Sequence, residues 1–215
     1  MEKNARFWSR IADKYAASPV PDEAIYQKKL AVTREYLRPD MDVLEFGCGT
    51  GSTALVHAST VHHILAIDIA DRMLEIAKQK AKEQGVENID FRQASVEDLD
   101  VPDHSLDAVL GHSILHLLEN KEEVIAKVFK MLKPGGVFVS STACISDFFK
   151  FYKLLEWVGP LGRFFGLLPL VNPFGRKELK AAITAAGFSL EYEWQPEGKG
   201  KSQAVFIVAK KPEAA

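Results

Sequence analysis

The spacing of apolar positions changes character several times along the chain. Over residues 5–17 and 22–37 apolar side chains recur at helical intervals, so two helices are predicted. The break Ser18-Pro19-Val20-Pro21 separates them, and Asp22 is a helix-starting acid. After Pro39 short apolar runs alternate with amphipathic stretches. The runs at 42–46 (DVLEF), 63–68 (HILAID), 88–93 (NIDFRQ), 106–111 (LDAVLG) and 136–142 (GVFVSST) have the length and composition of strands. Between them the period is 3.6: Ile69, Met73, Ile76 and Ala77 share one helix face, and Val124, Ile125, Val128, Phe129 and Leu132 share another. Pro134-Gly135-Gly136 is expected to stop that helix and start the fifth strand. A last helix over 175–186, closed by Gly187, leads to two strand-like runs, 188–194 and 203–210. A polar loop joins them, and they are expected to form an antiparallel hairpin added to the sheet edge.

Strands that alternate with helices bury a parallel sheet on both faces. The expected fold is therefore α/β: a doubly wound, Rossmann-like, seven-stranded sheet, mostly parallel with an antiparallel last strand, and helices on both faces. Residues 1–215 read as a single domain, with 1–38 as an N-terminal helical cap and 143–174 as an aromatic-rich insertion.

Composition narrows the partners. A net charge of -2 gives no basic footprint for nucleic acid, and there is no acidic tail. Two cysteines, Cys48 and Cys144, make no disulfide framework and suit a reducing compartment. The start MEKNARFWSR is charged and lacks the apolar core of a signal peptide. No run approaches the roughly 20 apolar residues of a membrane span. A cytoplasmic protein is expected.

Candidate chemistry begins at VLEFGCGTGS, residues 43–52, where Gly47, Gly49 and Gly51 alternate directly after the first predicted strand. In open parallel sheets, ligands bind beyond the carboxyl ends of the strands at this turn. A dinucleotide site needs G-x-G-x-x-G with a pyrophosphate seated on the helix N-terminus. This chain is one residue shorter in that spacing, and the charge of Glu45 opposes a pyrophosphate. S-adenosylmethionine, with a sulfonium, an ammonium and no phosphate, meets no such penalty. Asp68 ends the second strand, where a carboxylate can hold ribose hydroxyls of either ligand or cap the following helix.

With these residues assembled, the chain resembles the class I S-adenosylmethionine-dependent methyltransferases, especially the small-molecule branch of ubiquinone and menaquinone methyltransferases. The resemblance spans roughly residues 5–210. It rests on VLEFGCGTGS, on AIDIA at 66–70, on QASVEDLDVPDHSLDAVLGHSILHLL at 93–118, on MLKPGGVFV at 131–139, and on the leading helix FWSRIADKY. It implies S-adenosyl-L-methionine as cofactor and S-adenosyl-L-homocysteine as product. Glu45 and the loop Gly47, Cys48, Gly49 and Gly51 would hold the methionine part. Asp68 would hold the ribose, with Ile69 and Met73 flanking the adenine, Ser95 and Val96 at its edge, and His112 near the sulfonium. Tyr15 would close over the cofactor. The family often has Asp where this chain has Ser95.

Methyl transfer from a sulfonium is an in-line displacement, so alignment and exclusion of water are the main tasks. A base is needed only for a protonated acceptor, and His112 and His116 are the candidates; either can instead make a structural hydrogen bond. His57, His62 and His63 are expected away from the site. No metal-ligand spacing stands out. Residues 143–174 carry eight aromatic side chains, and the resemblance points to an acceptor lid there. Phe148, Phe149, Tyr152, Leu155 and Trp157 would line an apolar pocket, and Lys153 and Arg163 would meet an anionic group. The competing readings of the same segment are extra core or a dimer contact and, third, a peripheral membrane contact. The acceptor expected is a small apolar or aromatic molecule. Two other classes stay open: an NAD(P)-dependent oxidoreductase, against which the absence of a Tyr-x-x-x-Lys pair counts, and a non-catalytic scaffold.

Overall fold

Seven strands form one sheet in the order β3-β2-β1-β4-β5-β7-β6 in the computed structural model, which describes residues 2–148, 168–196 and 204–213. The strands are β1 (Asp42–Phe46), β2 (His63–Asp68), β3 (Ile89–Gln93), β4 (Leu106–His112), β5 (Leu132–Ala143), β6 (Ser189–Trp194) and β7 (Ala204–Lys210). β1 to β5 pair in parallel, whereas β7 runs antiparallel to both β5 and β6. The expected hairpin is present, but β7 lies inside the sheet and β6 takes the edge. Burial explains the choice: Ala204 to Ala209 are all buried, whereas β6 alternates with exposed Ser189 and Glu191.

Each strand sends alternate side chains to two cores. On one face Leu44, Phe46, Ile67, Val109 and Phe138 pack against helix α5 (Lys121–Met131) and helix α7 (Arg176–Ala185). On the other, Val43, Ala66, Leu110, Val139 and Phe206 pack beneath helices α2 (Glu23–Glu35) and α3 (Ser52–His57). Asp22 caps α2 by accepting a hydrogen bond from the Ile25 N–H at 3.0 Å, as its position at the break predicts. Helix α4 (Asp71–Gln84) carries helix α1 (Glu2–Ala17) on its outer side through Ala12, Ala70 and Met73, and a short helix α6 (Ile145–Phe148) follows β5. Polar pins fix α1 there: Ser9 donates to Asp71 at 2.5 Å and Arg72 donates to both oxygens of Asp13.

Two boundaries differ from expectation. Leu132 does not extend α5; it is already extended (ψ 138°) and pairs with Leu106, so β5 starts ahead of Pro134. The β3–β4 connection carries no helix among the described residues; the Ser95–Asp98 turn and Pro102 occupy it. No helix among the described residues is long and apolar enough to cross a membrane. Phe149, Tyr152, Lys153, Leu155, Trp157 and Arg163, and the side chain of Phe148, lie outside the described residues.

Candidate active site

The order in which strands are added to the sheet reverses between the parallel neighbours β1 and β4, and the loops leaving their carboxyl ends part there. A cleft of about 470 Å³ opens at this point. Of the expected residues, Tyr15, Gly47, Gly49, Asp68, Ile69, Met73, Ser95, Val96, His112 and His116 line it. Glu45, Cys48 and Gly51 do not; they stand behind its wall.

The glycine loop has a definite job for each position. Gly47 (φ +66°) passes so close to Ile114 that an added Cβ would lie 2.7 Å from its side chain. Gly49 (φ +53°) faces open space, the only one of the three whose missing side chain leaves room for a ligand. Cys48 is turned into the core beside α3, so its contribution to a ligand is through the backbone alone. Gly51 packs against Ala77 and Phe91 and starts α3.

Asp68 ties this loop to the second strand. Its two oxygens accept hydrogen bonds from the Gly49 N–H at 2.8 Å and the Ala70 N–H at 2.9 Å. Burial raises its pKa, and these bonds work against that rise. The carboxylate is thus fixed at the tip of β2, with lone pairs left for hydroxyl donors. Beside it Ile69, Met73 and Val96 form an apolar slot suited to a flat ring. At the slot's edge Ser95 donates to the Glu97 carboxylate in a short hydrogen bond, and the Glu97 N–H donates back to Ser95 Oγ at 3.2 Å. Glu97 also lines the cleft, so a carboxylate stands two residues from the place where the family often has Asp. A Ser-x-Glu turn signal is visible in the sequence, and sequence reasoning passed over it.

Glu45 is 2% exposed, and its Oε2 has no partner among the described residues. Burial first, then the nearby charge of Asp68, pushes its pKa up to about 8. It is therefore largely protonated at neutral pH in this state, which corrects the premise that its standing charge repels a pyrophosphate. An ammonium brought to Oε2 would draw the proton off; a phosphate has nothing to gain there. Tyr15 lines the cleft from α1 while remaining 53% exposed, and partial desolvation with the charges of Asp68 and Glu45 raises its pKa.

The β4 tip carries the two histidines. His112 is half-buried, its Nε2 enclosed and without a partner among the described residues, and desolvation, then the charges of His57 and Lys29, pushes its pKa down to about 3. His57, expected away from the site, does not line the cleft, yet it lies on α3 close enough for its charge to act on His112. It is wholly buried with both ring nitrogens unpartnered and a pKa pushed down to about 4 by burial and Arg34. No motif marks it; only the packing of α3 against the sheet brings it in. His116 is half-buried, its Nδ1 3.2 Å from Thr142 Oγ1, and burial lowers its pKa. Between the histidines Ser113 has φ +54° and donates its N–H to the Ser141 carbonyl at 2.6 Å. A non-glycine residue held in that region costs on the order of 1 kcal/mol and marks a turn that the surrounding structure enforces.

The cleft thus brings together a glycine with open space, a carboxylate at the tip of β2 and an apolar slot, with an orphaned buried acid behind its wall. Comparison with known proteins agrees. The model of a methyltransferase domain matches residues 37–167. A probable S-adenosylmethionine-dependent methyltransferase of Mycolicibacterium smegmatis is 30% identical over 155 residues, 70% of this chain and 52% of that protein. The ubiquinone/menaquinone biosynthesis C-methyltransferase UbiE of Vibrio cholerae is 29% identical over 143 residues, 63% of this chain and 55% of that protein. The chain spans about half the length of the curated relatives it matches. Among solved structures, the YcgJ protein of Bacillus subtilis superposes with a TM-score of 0.68 at 21% identity, covering 87% of this chain and all of that one, a likeness of fold. Since the family model takes in the glycine loop, Asp68, the Ser95 turn and both cleft histidines within one matched stretch, the chain belongs to the family of S-adenosylmethionine-dependent methyltransferases.

Proposed function

We propose that the protein transfers a methyl group from S-adenosylmethionine to a small, largely apolar or aromatic acceptor. The observation that carries this reading is the single cleft in which Gly49, Asp68, the Ile69–Met73–Val96 slot and His112 with His116 meet. When bound, the donor supplies an electrophilic methyl on a sulfonium. The residues of this chain do the rest. Asp68 and Glu97 receive hydroxyl and amine donors, Glu45 receives an ammonium, and Ile69 and Met73 hold the flat ring. Tyr15, Trp8 and Asn4 on α1 cover the cleft and keep water out.

For a proton-bearing acceptor, His116 suits the role of base better than His112. A group with its pKa near 3 holds a proton too weakly to remove one efficiently at neutral pH, whereas His116 is less enclosed and faces the same cleft. His112 instead offers a neutral imidazole hydrogen bond. The segment 143–174 is assigned the role of acceptor cover in this reading, with extra core, a dimer contact or a peripheral membrane contact as the alternatives.

Titration calorimetry with S-adenosylmethionine, S-adenosylhomocysteine and NADH tests the donor. Binding of the first two and not the third is expected; tight NADH binding without them would return the oxidoreductase reading. A donor-consumption screen over phenols, quinones, thiols, amines and carboxylic acids then tests the acceptor class. Tight donor binding with no turnover on any of them would favour a scaffold.

A further inference from the structure

His116 differs from His57 and His112 in having a partner for its ring. Its Nδ1 lies 3.2 Å from Thr142 Oγ1, whereas neither ring nitrogen of His57 is paired and His112 Nε2 stands alone among the described residues. Thr142 is on β5, wholly buried, and shares its face of the sheet with Phe138, four residues earlier. The imidazole nitrogen is the sole partner of its hydroxyl among the described residues.

The backbone beneath the ring is held as well. His116 belongs to the short turn Leu115–Leu117 between β4 and α5. Asn172 clamps this turn: its N–H donates to the His116 carbonyl at 2.8 Å, and its Nδ2 donates to the Leu118 and Glu119 carbonyls at 3.3 and 3.1 Å. Two residues earlier the Leu170 N–H donates to Asn4 Oδ1 at 3.0 Å, which joins the same stretch to α1. Asn4, His116, Leu118, Glu119 and Leu170 all line the cleft. Turn and ring are thus fixed by separate contacts.

The place of the ring hydrogen follows from counting buried donors. A hydroxyl has one hydrogen and two lone pairs. If Nδ1–H donated to Oγ1, the Thr142 hydrogen would be buried with no acceptor, which disfavours that tautomer by about 10-fold or more. If the hydroxyl donates to Nδ1, both groups are satisfied and the ring hydrogen sits on Nε2. Turning the ring over would set Cδ2 against the hydroxyl and orphan it again. Burial lowers the pKa of His116, so the ring is neutral at neutral pH. Its Nε2 has no partner among the described residues and is not enclosed as that of His112 is, so it opens on the cleft.

We propose that Thr142 is a positioning residue that fixes His116 as the Nε2–H tautomer, and that this N–H binds a carbonyl oxygen of the methyl acceptor. The inference rests on the donor reading above and narrows the acceptor taken beside that donor. His116 is the better base only for an acceptor with a proton to lose, and in this tautomer it shows such an acceptor an N–H and no lone pair. The oxygen is that of a neutral group: Glu97, Glu119 and Glu123 line the cleft, and no lysine or arginine does so among the described residues. An anionic acceptor would meet repulsion there without a counter-charge.

NMR of protein carrying 15N-labelled histidine, in complex with S-adenosylhomocysteine, tests both parts, and His116→Gln locates the resonances of His116. At pH 8 the wild type should hold the Nε2–H form in about 10-fold excess or more over Nδ1–H. That ratio should fall about 5-fold in Thr142→Val and return in Thr142→Ser, with S-adenosylhomocysteine affinity unchanged in both. Acetophenone should move the Nε2–H proton downfield, and its isostere α-methylstyrene, with a CH2 in place of the oxygen, should not. A wild-type ring protonated on Nδ1, or a ratio unmoved in Thr142→Val, overturns the role of Thr142; the first result also returns His116 to the role of base. No downfield shift with acetophenone, or the same shift with both probes, overturns the carbonyl assignment. Failure of S-adenosylhomocysteine to bind the wild-type protein overturns the donor reading, and the role of His116 toward an acceptor falls with it.

Discussion

The two halves of the cleft treat their polar atoms in opposite ways. On the donor side, at the tips of β1, β2 and β3, carboxylates and backbone groups are paired: Asp68 holds two N–H groups, Cys48 N–H donates to the Ile67 carbonyl, and the Ala94 N–H donates to that of Asp68. On the α2 side of the sheet, Tyr26 Oη, both ring nitrogens of His57, His112 Nε2 and Ser141 Oγ are buried atoms without a partner among the described residues, and Glu45 marks the border with its unpaired Oε2. A ligand shared by a whole family can be met by backbone geometry that any sequence with the right glycines adopts. A ligand particular to one member must be met by side chains, and those remain unsatisfied until it arrives.

The comparison breaks most visibly at Glu45. Its pKa rises from 4.5 to about 8 on folding, so the folded state keeps a proton that the unfolded chain gives up. Stability therefore falls as pH rises from 4.5 to 8, by up to roughly 5 kcal/mol, which is an upper bound. Glu45→Gln should remove that slope, and urea midpoints at pH 6 and pH 9 measure it. The same proton should be released when S-adenosylhomocysteine binds at pH 7. Calorimetric heats will then vary with the ionisation enthalpy of the buffer in wild type and not in the variant.

The opposite pH limb belongs to the α2 side. His57 binds a proton at about 4 in the folded protein and near 6.5 when unfolded, so it destabilises the fold as pH drops from 6.5 to 4, by about 3 kcal/mol at most. His57→Leu should flatten acid unfolding in that window, read by circular dichroism. If the acid limb is unchanged, His57 is solvated and does not belong with the unpaired group.

On the donor side, Asp68→Ala removes a charge-assisted acceptor from two backbone N–H groups and from the ribose. An affinity loss of about 100-fold for S-adenosylhomocysteine, about 3 kcal/mol, is expected. Unchanged affinity would contradict the ribose assignment. The smallest effect is expected at Glu97. Glu97→Ala should weaken S-adenosylhomocysteine by about fivefold, roughly 1 kcal/mol, because the carboxylate is exposed and Ser95 Oγ remains at the slot's edge. Calorimetry at fixed salt resolves both losses.

Much of the donor side was legible in the chain itself. Alternating glycines after an apolar run, an acid at the end of the next strand and an apolar pair one helical turn apart are local signals with a local physical cause. The Leu132 boundary was missed because helix periodicity continues through an apolar residue whose strand partner, Leu106, is 26 positions away. The influence of His57 on His112 was illegible for a related reason: nothing beside it in sequence shows that α3 brings it within range of that ring. The inside position of β7 was hinted at by its unbroken apolar run, which suits a strand covered on both faces better than an edge.

What the sequence determined alone is the alternation of strands and helices, the glycine turn and the carboxylates that follow it, since backbone conformation and side-chain period depend on neighbours along the chain. What only the tertiary structure decided is the proton on Glu45, the surroundings of His57 and the burial of Lys29. Burial and the distance between charges set these, and both depend on residues brought together from α2, α3, β1 and β4. Desolvation is a property of the packed molecule, and a linear reading contains no term for it.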